Sequence, residues 1–300
     1  MSDKPKIGYI GLGLMGSAMV GRLQACGYPM FVVANKSRVN VDAAVARGAT
    51  EVDNARSLAA CCDIVMLCVD TSVSVESRML GDSGVIAGLR PGMTVIDFGT
   101  SLPGSTKMLG AAVDAVGATL IDAPLGRTPA HAKDGLLNIM GAGDQAAFAA
   151  VKPVLDDLGE NVFHVGPLGA GHTLKLINNF FAMTTASAMS EAFAMADLAG
   201  IPRETLFQVM GAGPLRSGMM EFVKNYATDG QIDLAFSISN AHKDVGYYTQ
   251  MADGLGAATQ MSASARNALG LAKAQGWGNQ MVPEMVDFFQ ALFTAKSKPS

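Results

Sequence analysis

Two polar residues four positions apart, Lys175 and Asn179, stand inside the apolar stretch GAGHTLKLINNFF. On a helix, residues at this spacing share a face and can reach one bound molecule. The neighbours Leu174, Leu176 and Ile177 make the helix apolar on nearly every side, so we expect this lysine in a cleft or an interface. Burial lowers the pKa of an ammonium group, which suits the lysine for proton transfer near neutral pH. An ordinary solvated lysine is the alternative.

Near the N-terminus, glycines occur in G-x-G-x-x-G spacing between an apolar run typical of a strand and an apolar helix. The first glycine permits a tight turn, the second lets the backbone approach a pyrophosphate, and the third lets the helix pack closely on the strand. The positive helix N-terminus then faces the anion. The motif predicts a dinucleotide site. Its residues are Gly11, Leu12, Gly13, Leu14, Met15 and Gly16.

The end of the second predicted strand bears on which dinucleotide binds. About 20 residues after the glycines, NAD-binding proteins carry an acidic residue that holds the ribose. Here Asn35 occupies that position, and Lys36, Ser37 and Arg38 follow. Two cations and a hydroxyl suit a 2′-phosphate, and the segment contains no carboxylate to repel it. We expect NADP to be favoured over NAD; an ordinary polar loop is the alternative.

A turn composed of Gly126, Arg127 and Thr128 follows the apolar run GATLIDAPL, which predicts a strand ending at Pro124. The planar guanidinium group of arginine can bind an oxyanion through two hydrogen bonds, and threonine adds a hydroxyl. We interpret the turn as a clamp for an anionic group of a substrate. A solvated loop charge is the alternative.

The hydrophobic pattern predicts the elements that must position these residues. Up to residue 166, short apolar runs alternate with helical patterns, which is typical of βα units around a mostly parallel sheet of about eight strands. From Gly169 to about Gly200 the pattern is helical without proline, and further helical patterns follow. We expect an α/β fold, with a doubly wound sheet in residues 1–166 and an all-α domain in residues 167–300.

The composition argues against several classes of function. The 300 residues carry a net charge of −4 and no block of Lys or Arg, so a basic surface for nucleic acid or an anionic bilayer is not expected. The four cysteines and four histidines lack metal-ligand spacing, and we interpret the histidines as ordinary polar residues. No signal peptide and no uninterrupted apolar span are visible. We expect a cytoplasmic protein without a metal or a membrane span, whose partner is a small molecule.

Four motifs in this order, GYIGLGLMG, DAPLGRTPAHAKDG, GAGHTLKLINN and FSISNAHKDVG, resemble the β-hydroxyacid dehydrogenase family. The resemblance covers nearly the whole chain. It implies a Rossmann-type domain that a long interdomain helix joins to the all-helical domain. It also implies an active site in the cleft and subunits that pair through their helical halves as a homodimer or homotetramer.

The resemblance implies roles for individual residues of the substrate site. Lys175 matches the family's catalytic lysine, and Asn179 matches its substrate-orienting asparagine. Phe236 and Asp244 match positions that close the cleft on the substrate.

The resemblance also adds residues to the cofactor site. Thr100 matches a serine or threonine that lies near the nicotinamide ribose and the substrate. Cys68 and Val69 follow the strand whose end covers the cofactor, and Lys243, in the fourth motif, is assigned to the same site.

The activity implied by the resemblance is hydride transfer between a nicotinamide and a short β-hydroxy acid or semialdehyde with an anionic tail. Lys175 would act as the general acid and base. The Gly126, Arg127 and Thr128 turn replaces the family's serine and two glycines and is similar to that of sulfolactaldehyde reductase, where an arginine helps to hold a sulfonate. That reductase has a serine where this chain has Ala182, so a carboxylate and a sulfonate both stay open.

Three alternatives stand beside this function. The first alternative is a narrower form of the same activity, the reduction of sulfolactaldehyde specifically. Imine reductases of the same fold usually replace the lysine with another residue, so Lys175 argues against imine reduction. A non-catalytic, cofactor-binding regulatory protein would not need Lys175, Asn179 and Asp244 together.

Overall fold

Most strands of the chain are short runs of buried apolar residues, and most are bounded by Gly, Pro, Asp or Asn. The structure is a computed structural model that describes residues 4–35 and 37–295. The chain divides into two units, Met1–Lys175 and Leu176–Ser300. Strands lie in the first unit, and the second is helical in its described part.

Six parallel strands form the main sheet of the first unit, in the order β3-β2-β1-β4-β5-β6. They are β1 (Ile7–Ile10), β2 (Met30–Val33), β3 (Thr50–Val52), β4 (Ile64–Leu67), β5 (Thr94–Asp97) and β6 (Thr119–Asp122). This is the strand order of a Rossmann-type sheet, whose direction of winding switches between β1 and β4. Ligands of such sheets bind outside the carboxyl ends of the strands at that switch.

In the described residues of the first unit, seven α-helices precede the long helix that ends it. They are α1 (Leu14–Ala25), α2 (Val39–Ala46), α3 (Ala55–Cys61), α4 (Ser72–Met79), α5 (Pro103–Asp114), α6 (Pro129–Asp134) and α7 (Gln145–Asp156). Alternate residues of β4 belong to different apolar clusters, Ile64 and Met66 to one and Val65 and Leu67 to the other. Because successive side chains of a strand point to opposite faces, the sheet is buried on both faces.

A smaller sheet follows the main one. It contains β7 (Leu125–Gly126), β8 (Leu137–Gly141) and β9 (Gly159–His164), with β7 antiparallel and β9 parallel to β8. The sequence pattern predicted one strand ending at Pro124, whereas β6 ends at Asp122 and a new strand begins at Leu125. Pro124 has no N–H to donate to a ladder, so the chain leaves one sheet there and enters the next.

A long helix, α8 (Ala170–Leu198), starts at the end of the first unit and continues into the second. Its 29 residues match the predicted helix. Gly169, at φ 92°, precedes the helix and Gly200, at φ 72°, follows it. Both glycines adopt a left-handed conformation that interrupts helical geometry at little steric cost.

The second unit is built from helices. They are α9 (Arg203–Gly211), α10 (Gly218–Asp229), α11 (Ile238–Gly254), α12 (Met261–Ala274) and α13 (Met285–Thr294). A sheet unit followed by a helical unit confirms the predicted fold class. Before α13, Val282–Glu284 forms a 3₁₀ turn that contains Pro283, so the α-helix begins only at Met285.

Two surface properties of the helices bear on membrane binding and on assembly. Within residues 4–35 and 37–295, no helix has both the length and the hydropathy that a membrane crossing requires. Phe181, Met195 and Leu198 on α8 expose large apolar side chains. Pairing of subunits through the helical half stays a prediction.

His242 on α11 should make the chain sensitive to acid. Burial, together with Lys273 and Arg266, lowers the pKa of His242. The folded state then binds this proton more weakly than the unfolded chain, so stability is lost as the pH falls below about 6.5, the ordinary value for histidine. Between about pH 7.5 and pH 5, the Tm of His242→Gln should fall less than that of the wild type. Equal decreases in thermal unfolding at the two pH values would contradict this assignment.

Candidate active site

The glycine turn between β1 and α1 has the shape that a bound pyrophosphate needs. Gly11 has φ 97°, and a Cβ there would collide with the backbone carbonyl of Cys68. A Cβ on Gly16 would collide with the carbonyl of Gly11, so the third glycine lets α1 pack against the turn. A Cβ on Gly13 would meet no described atom within 4 Å. The space over the N-terminus of α1 is therefore open to a phosphate group, and the residues fit a dinucleotide.

The other residues of the turn hold its shape. Leu12 and Met15 pack partly buried against the apolar cluster on one face of the sheet, whereas the Leu14 side chain is exposed. Asn40 on α2 donates a hydrogen bond from Nδ2 to the Leu12 carbonyl at 2.7 Å. The turn is thus tied to the segment that follows β2.

The segment after β2 exposes Asn35, Ser37 and Arg38, and Lys36 lies outside the described residues. Arg38 forms ion pairs of 2.9 Å with Asp42 and with Glu51, and these carboxylates raise the pKa of Arg38. The segment itself contains no carboxylate, but the fold brings Glu51 beside it on the neighbouring strand β3. A 2′-phosphate at Arg38 would compete with both carboxylates.

The ends of two neighbouring strands lie at the edge of the sheet that carries the glycine turn. Cys68 and Val69 follow β4, and Thr100 follows β5, which are neighbouring strands. Burial, with a smaller contribution from the Asp97 carboxylate, raises the pKa of the Cys68 thiol to about 12, so the thiol stays protonated at neutral pH. Asp97 accepts hydrogen bonds from the Gly99 amide at 2.8 Å and the Ser101 hydroxyl at 3.2 Å, and it thereby shapes the loop of Thr100.

A buried carboxylate at the end of β6 fixes the start of α8. Asp122 is fully buried and accepts hydrogen bonds of 2.7 Å from the backbone amides of Gly169 and His172, one to each oxygen. The first amides of a helix have no partner within the helix, and a negative charge there is favourable. Asp122 therefore joins the sheet to the helix that carries Lys175.

His172 completes this buried cluster. Its Nδ1 lies 2.7 Å from the Thr106 hydroxyl, and its Nε2 lies 3.7 Å from an oxygen of Asp97. Asp97 and Asp122 are register partners on β5 and β6, which places their carboxylates side by side. Interpreting His172 as an ordinary polar residue missed the cluster. The available signal was that two successive apolar runs, TVID and TLID, both end in Asp.

Lys175 is half-buried one turn after the start of α8. Its ammonium donates a hydrogen bond to the Leu125 carbonyl at 2.6 Å. Leu125 immediately precedes Gly126, so the fold brings the Lys175 ammonium to the backbone at the start of the predicted anion clamp. Burial of this helix is less complete than the sequence suggested, because Leu174 and Ile177 are 41% and 45% exposed.

The turn after β7 holds its arginine in a strained conformation. Arg127 has φ 77° and is the only non-glycine residue with positive φ in the described part of the chain. Its Nη1 donates to the Leu136 carbonyl at 2.7 Å and lies 2.5 Å from a carboxylate oxygen of Glu160. The Thr128 hydroxyl lies 2.8 Å from Nδ1 of His131. Neither interpretation of the sequence, a solvated loop charge or a clamp for an anionic group of a substrate, included Glu160.

The second unit has a polar cluster of its own. Asp244 is 2% exposed and accepts a 2.6 Å hydrogen bond from Asn179, and its other oxygen lies 3.0 Å from the Lys243 ammonium. Phe236 is half-buried, and its carbonyl accepts a hydrogen bond from the Val282 amide at 2.8 Å. Asp244 thus positions Asn179 and Lys243 together, while Phe236 packs against the helical core.

Comparison with known proteins identifies similar chains over nearly the full length. The family model for the NAD binding domain of 6-phosphogluconate dehydrogenase matches residues 6–166. The model for the NAD-binding of NADP-dependent 3-hydroxyisobutyrate dehydrogenase matches residues 169–289.

Individual relatives agree with these matches. The chain is 28% identical to 2-(hydroxymethyl)glutarate dehydrogenase of Eubacterium barkeri over 97% of both chains. It is 30% identical to 3-sulfolactaldehyde reductase of Escherichia coli strain K12, over 91% of this chain and 92% of the relative. The crystal structure of a 3-hydroxyisobutyrate dehydrogenase from Salmonella typhimurium is 27% identical and superposes with a TM-score of 0.82, covering 94% of this chain and 99% of the other.

Gly13→Ala should separate cofactor binding from folding. The added methyl group meets no described atom and Gly13 has φ −73°, so the Tm should stay close to that of the wild type. The methyl group would occupy the space over the helix N-terminus, and we expect the Kd for NADPH, measured by calorimetry, to rise at least about tenfold. Gly254→Ala, whose methyl group also meets no described atom, is the matched control and should bind normally. Unchanged affinity in Gly13→Ala would place the dinucleotide elsewhere.

Proposed function

This chain belongs to the β-hydroxyacid dehydrogenase family of NAD(P)-dependent oxidoreductases, and from that membership we propose that its substrate is a short β-hydroxy acid or semialdehyde with an anionic tail. The observation that carries the proposal is the 2.6 Å hydrogen bond from Lys175 to the Leu125 carbonyl, immediately before the Gly126, Arg127 and Thr128 turn. This hydrogen bond supports the proposal that one small molecule can reach both a proton donor, Lys175, and an anion-binding arginine, Arg127.

Lys175 is the proposed general acid and base. When bound, the nicotinamide supplies or accepts a hydride at its C4 atom. During reduction, the Lys175 ammonium donates a proton to the carbonyl oxygen of the substrate as negative charge develops there, and during oxidation the neutral amine removes it. The Leu125 carbonyl holds the ammonium before substrate arrives, which limits the side-chain freedom that binding would otherwise remove.

Arg127 and Thr128 are the proposed contacts for the anionic tail. A guanidinium group binds a carboxylate or a sulfonate through parallel hydrogen bonds, and a hydroxyl adds a third. The names of two relatives, a sulfolactaldehyde reductase and a (hydroxymethyl)glutarate dehydrogenase, both specify acidic substrates. Ala182 supplies no hydroxyl for a sulfonate, so carboxylate and sulfonate tails are both included in the proposal.

The proposed function is tested by oxidation and reduction assays with both cofactors. The substrates are short aldehydes and hydroxy acids that carry a carboxylate, a sulfonate or an uncharged tail. We expect turnover of anionic substrates and little turnover of uncharged ones. Absence of turnover with every tail would instead favour a non-catalytic, cofactor-binding regulatory protein.

Lys175→Met should remove turnover while cofactor binding persists. General acid–base catalysis contributes about 10²- to 10⁴-fold, so we expect kcat to fall at least about 100-fold. The Kd for the cofactor should stay within about twofold, because the glycine turn is untouched. Lys152→Met, which removes a lysine paired with Asp156 on α7, is the control and should retain activity. Wild-type rates in Lys175→Met would refute the assignment.

NADP is the proposed preferred cofactor, with Arg38 as a contact for the 2′-phosphate. Arg38→Gln should raise the KM for NADPH about three- to tenfold and change the KM for NADH little, since a charge-assisted hydrogen bond to phosphate is lost. Arg47→Gln, an exposed arginine at the end of α2, should alter neither. An NADPH preference that survives removal of both Lys36 and Arg38 would defeat this proposal.

A further inference from the structure

The Glu160 carboxylate has no part in the function proposed above. It nevertheless forms an ion pair with the guanidinium group of Arg127, which is proposed to bind the substrate. Glu160 on β9 lies 2.5 Å from Nη1 of Arg127. The Arg127 side chain is 30% exposed and the Glu160 side chain 52% exposed, so solvent reaches both partners. A small anion can therefore approach the pair and exchange with the carboxylate.

The backbone at Arg127 indicates that the position of this guanidinium matters. At φ 77°, a residue with a Cβ is disfavoured, and glycine would adopt the conformation freely. Strained residues of this kind persist where their surroundings hold them, and they concentrate at ligand sites. Here the Leu136 carbonyl and the Glu160 carboxylate hold the side chain against the smaller sheet.

We propose that Glu160 limits the affinity for anionic substrates by competing with the substrate's anionic tail for Arg127. The inference rests on the proposed function, in which Arg127 binds that tail. In the free protein, the Glu160 carboxylate pairs with the Arg127 guanidinium group. The anionic tail of a substrate must displace this carboxylate in order to bind Arg127. A fully charged oxyanion with two or three oxygens, such as a carboxylate or a sulfonate, replaces the lost interaction. A neutral hydroxyl or amide does not, so substrates with uncharged polar tails bind without displacing Glu160, and the competition weakens the binding of anionic tails in particular.

Glu160→Gln tests the competition directly. The probes are a short aldehyde that ends in a carboxylate and the methyl ester of the same molecule. The variant should lower the KM for the acid about two- to fivefold. This is the range expected when binding no longer requires the exposed Arg127–Glu160 ion pair to break. The KM for the ester should change less, because its uncharged tail does not displace Glu160 in the wild type, so the preference for the acid should increase in the variant. The decrease should shrink at high ionic strength.

Asp156→Asn is the matched control, since it removes the same charge from another exposed ion pair of the first unit, that with Lys152. It should leave both KM values within about 1.5-fold of the wild type, which separates competition at Arg127 from a general change in surface charge. An equal decrease in both variants would overturn the specific role of Glu160.

Arg127→Gly distinguishes failure of this inference from failure of the proposed function. Glycine suits the left-handed backbone at this position, so the variant is expected to fold. Its KM for the acid should rise at least about tenfold, and adding Glu160→Gln to it should have no further effect. If Arg127→Gly leaves the KM unchanged, the clamp itself is wrong. If it raises the KM while Glu160→Gln alone has no effect or also raises it, the clamp stands and Glu160 only orients Arg127, which overturns the competition.

Discussion

The hydrogen bonds that the buried Asp122 carboxylate accepts from the Gly169 and His172 amides determine where the proposed catalytic lysine lies. They attach the first turn of α8 to the end of β6. Three residues beyond Asp122, the Leu125 carbonyl accepts the hydrogen bond of Lys175. The segment from Asp122 to Leu125, where the chain passes from the main sheet to the smaller one, therefore positions both the start of α8 and the ammonium group of Lys175. An amide left without a partner in this buried place would cost about 1–3 kcal/mol.

Within residues 4–35 and 37–295, the cations that were predicted to bind a ligand in either unit are each already bound by an acceptor of the chain. Lys175 donates to the Leu125 carbonyl, Arg127 pairs with Glu160, Arg38 with Glu51, and Lys243 with Asp244. Such contacts keep flexible side chains in place before a ligand binds, which reduces the entropy lost on binding. They also mean that a ligand must offer a stronger acceptor than the one it displaces. The same contacts therefore pre-organise these cations and set the cost of displacing their present acceptors.

The parts of the fold and site that the sequence predicted are those that local chemistry determines. The glycine spacing at residues 11–16 specifies a turn, and Gly169 and Gly200 mark the ends of α8, because each depends on backbone conformations that few other residues adopt. The acceptors of Arg127 and Arg38 could not be predicted in this way. Glu160 and Glu51 reach those arginines only through the pairing of strands, and the same holds for Asp97 and Asp122 around His172.

The central claim, that Asp122 places Lys175 for catalysis, is tested most directly by the kcat of Asp122→Asn at saturating cofactor and substrate. The comparison is Asp144→Asn, which weakens the carboxylate cap of α7, a helix without a proposed catalytic residue. Because small displacements of a catalytic group are costly, kcat should fall at least about tenfold in folded Asp122→Asn and stay near the wild-type value in Asp144→Asn. Equal kcat values in the two variants would contradict the account.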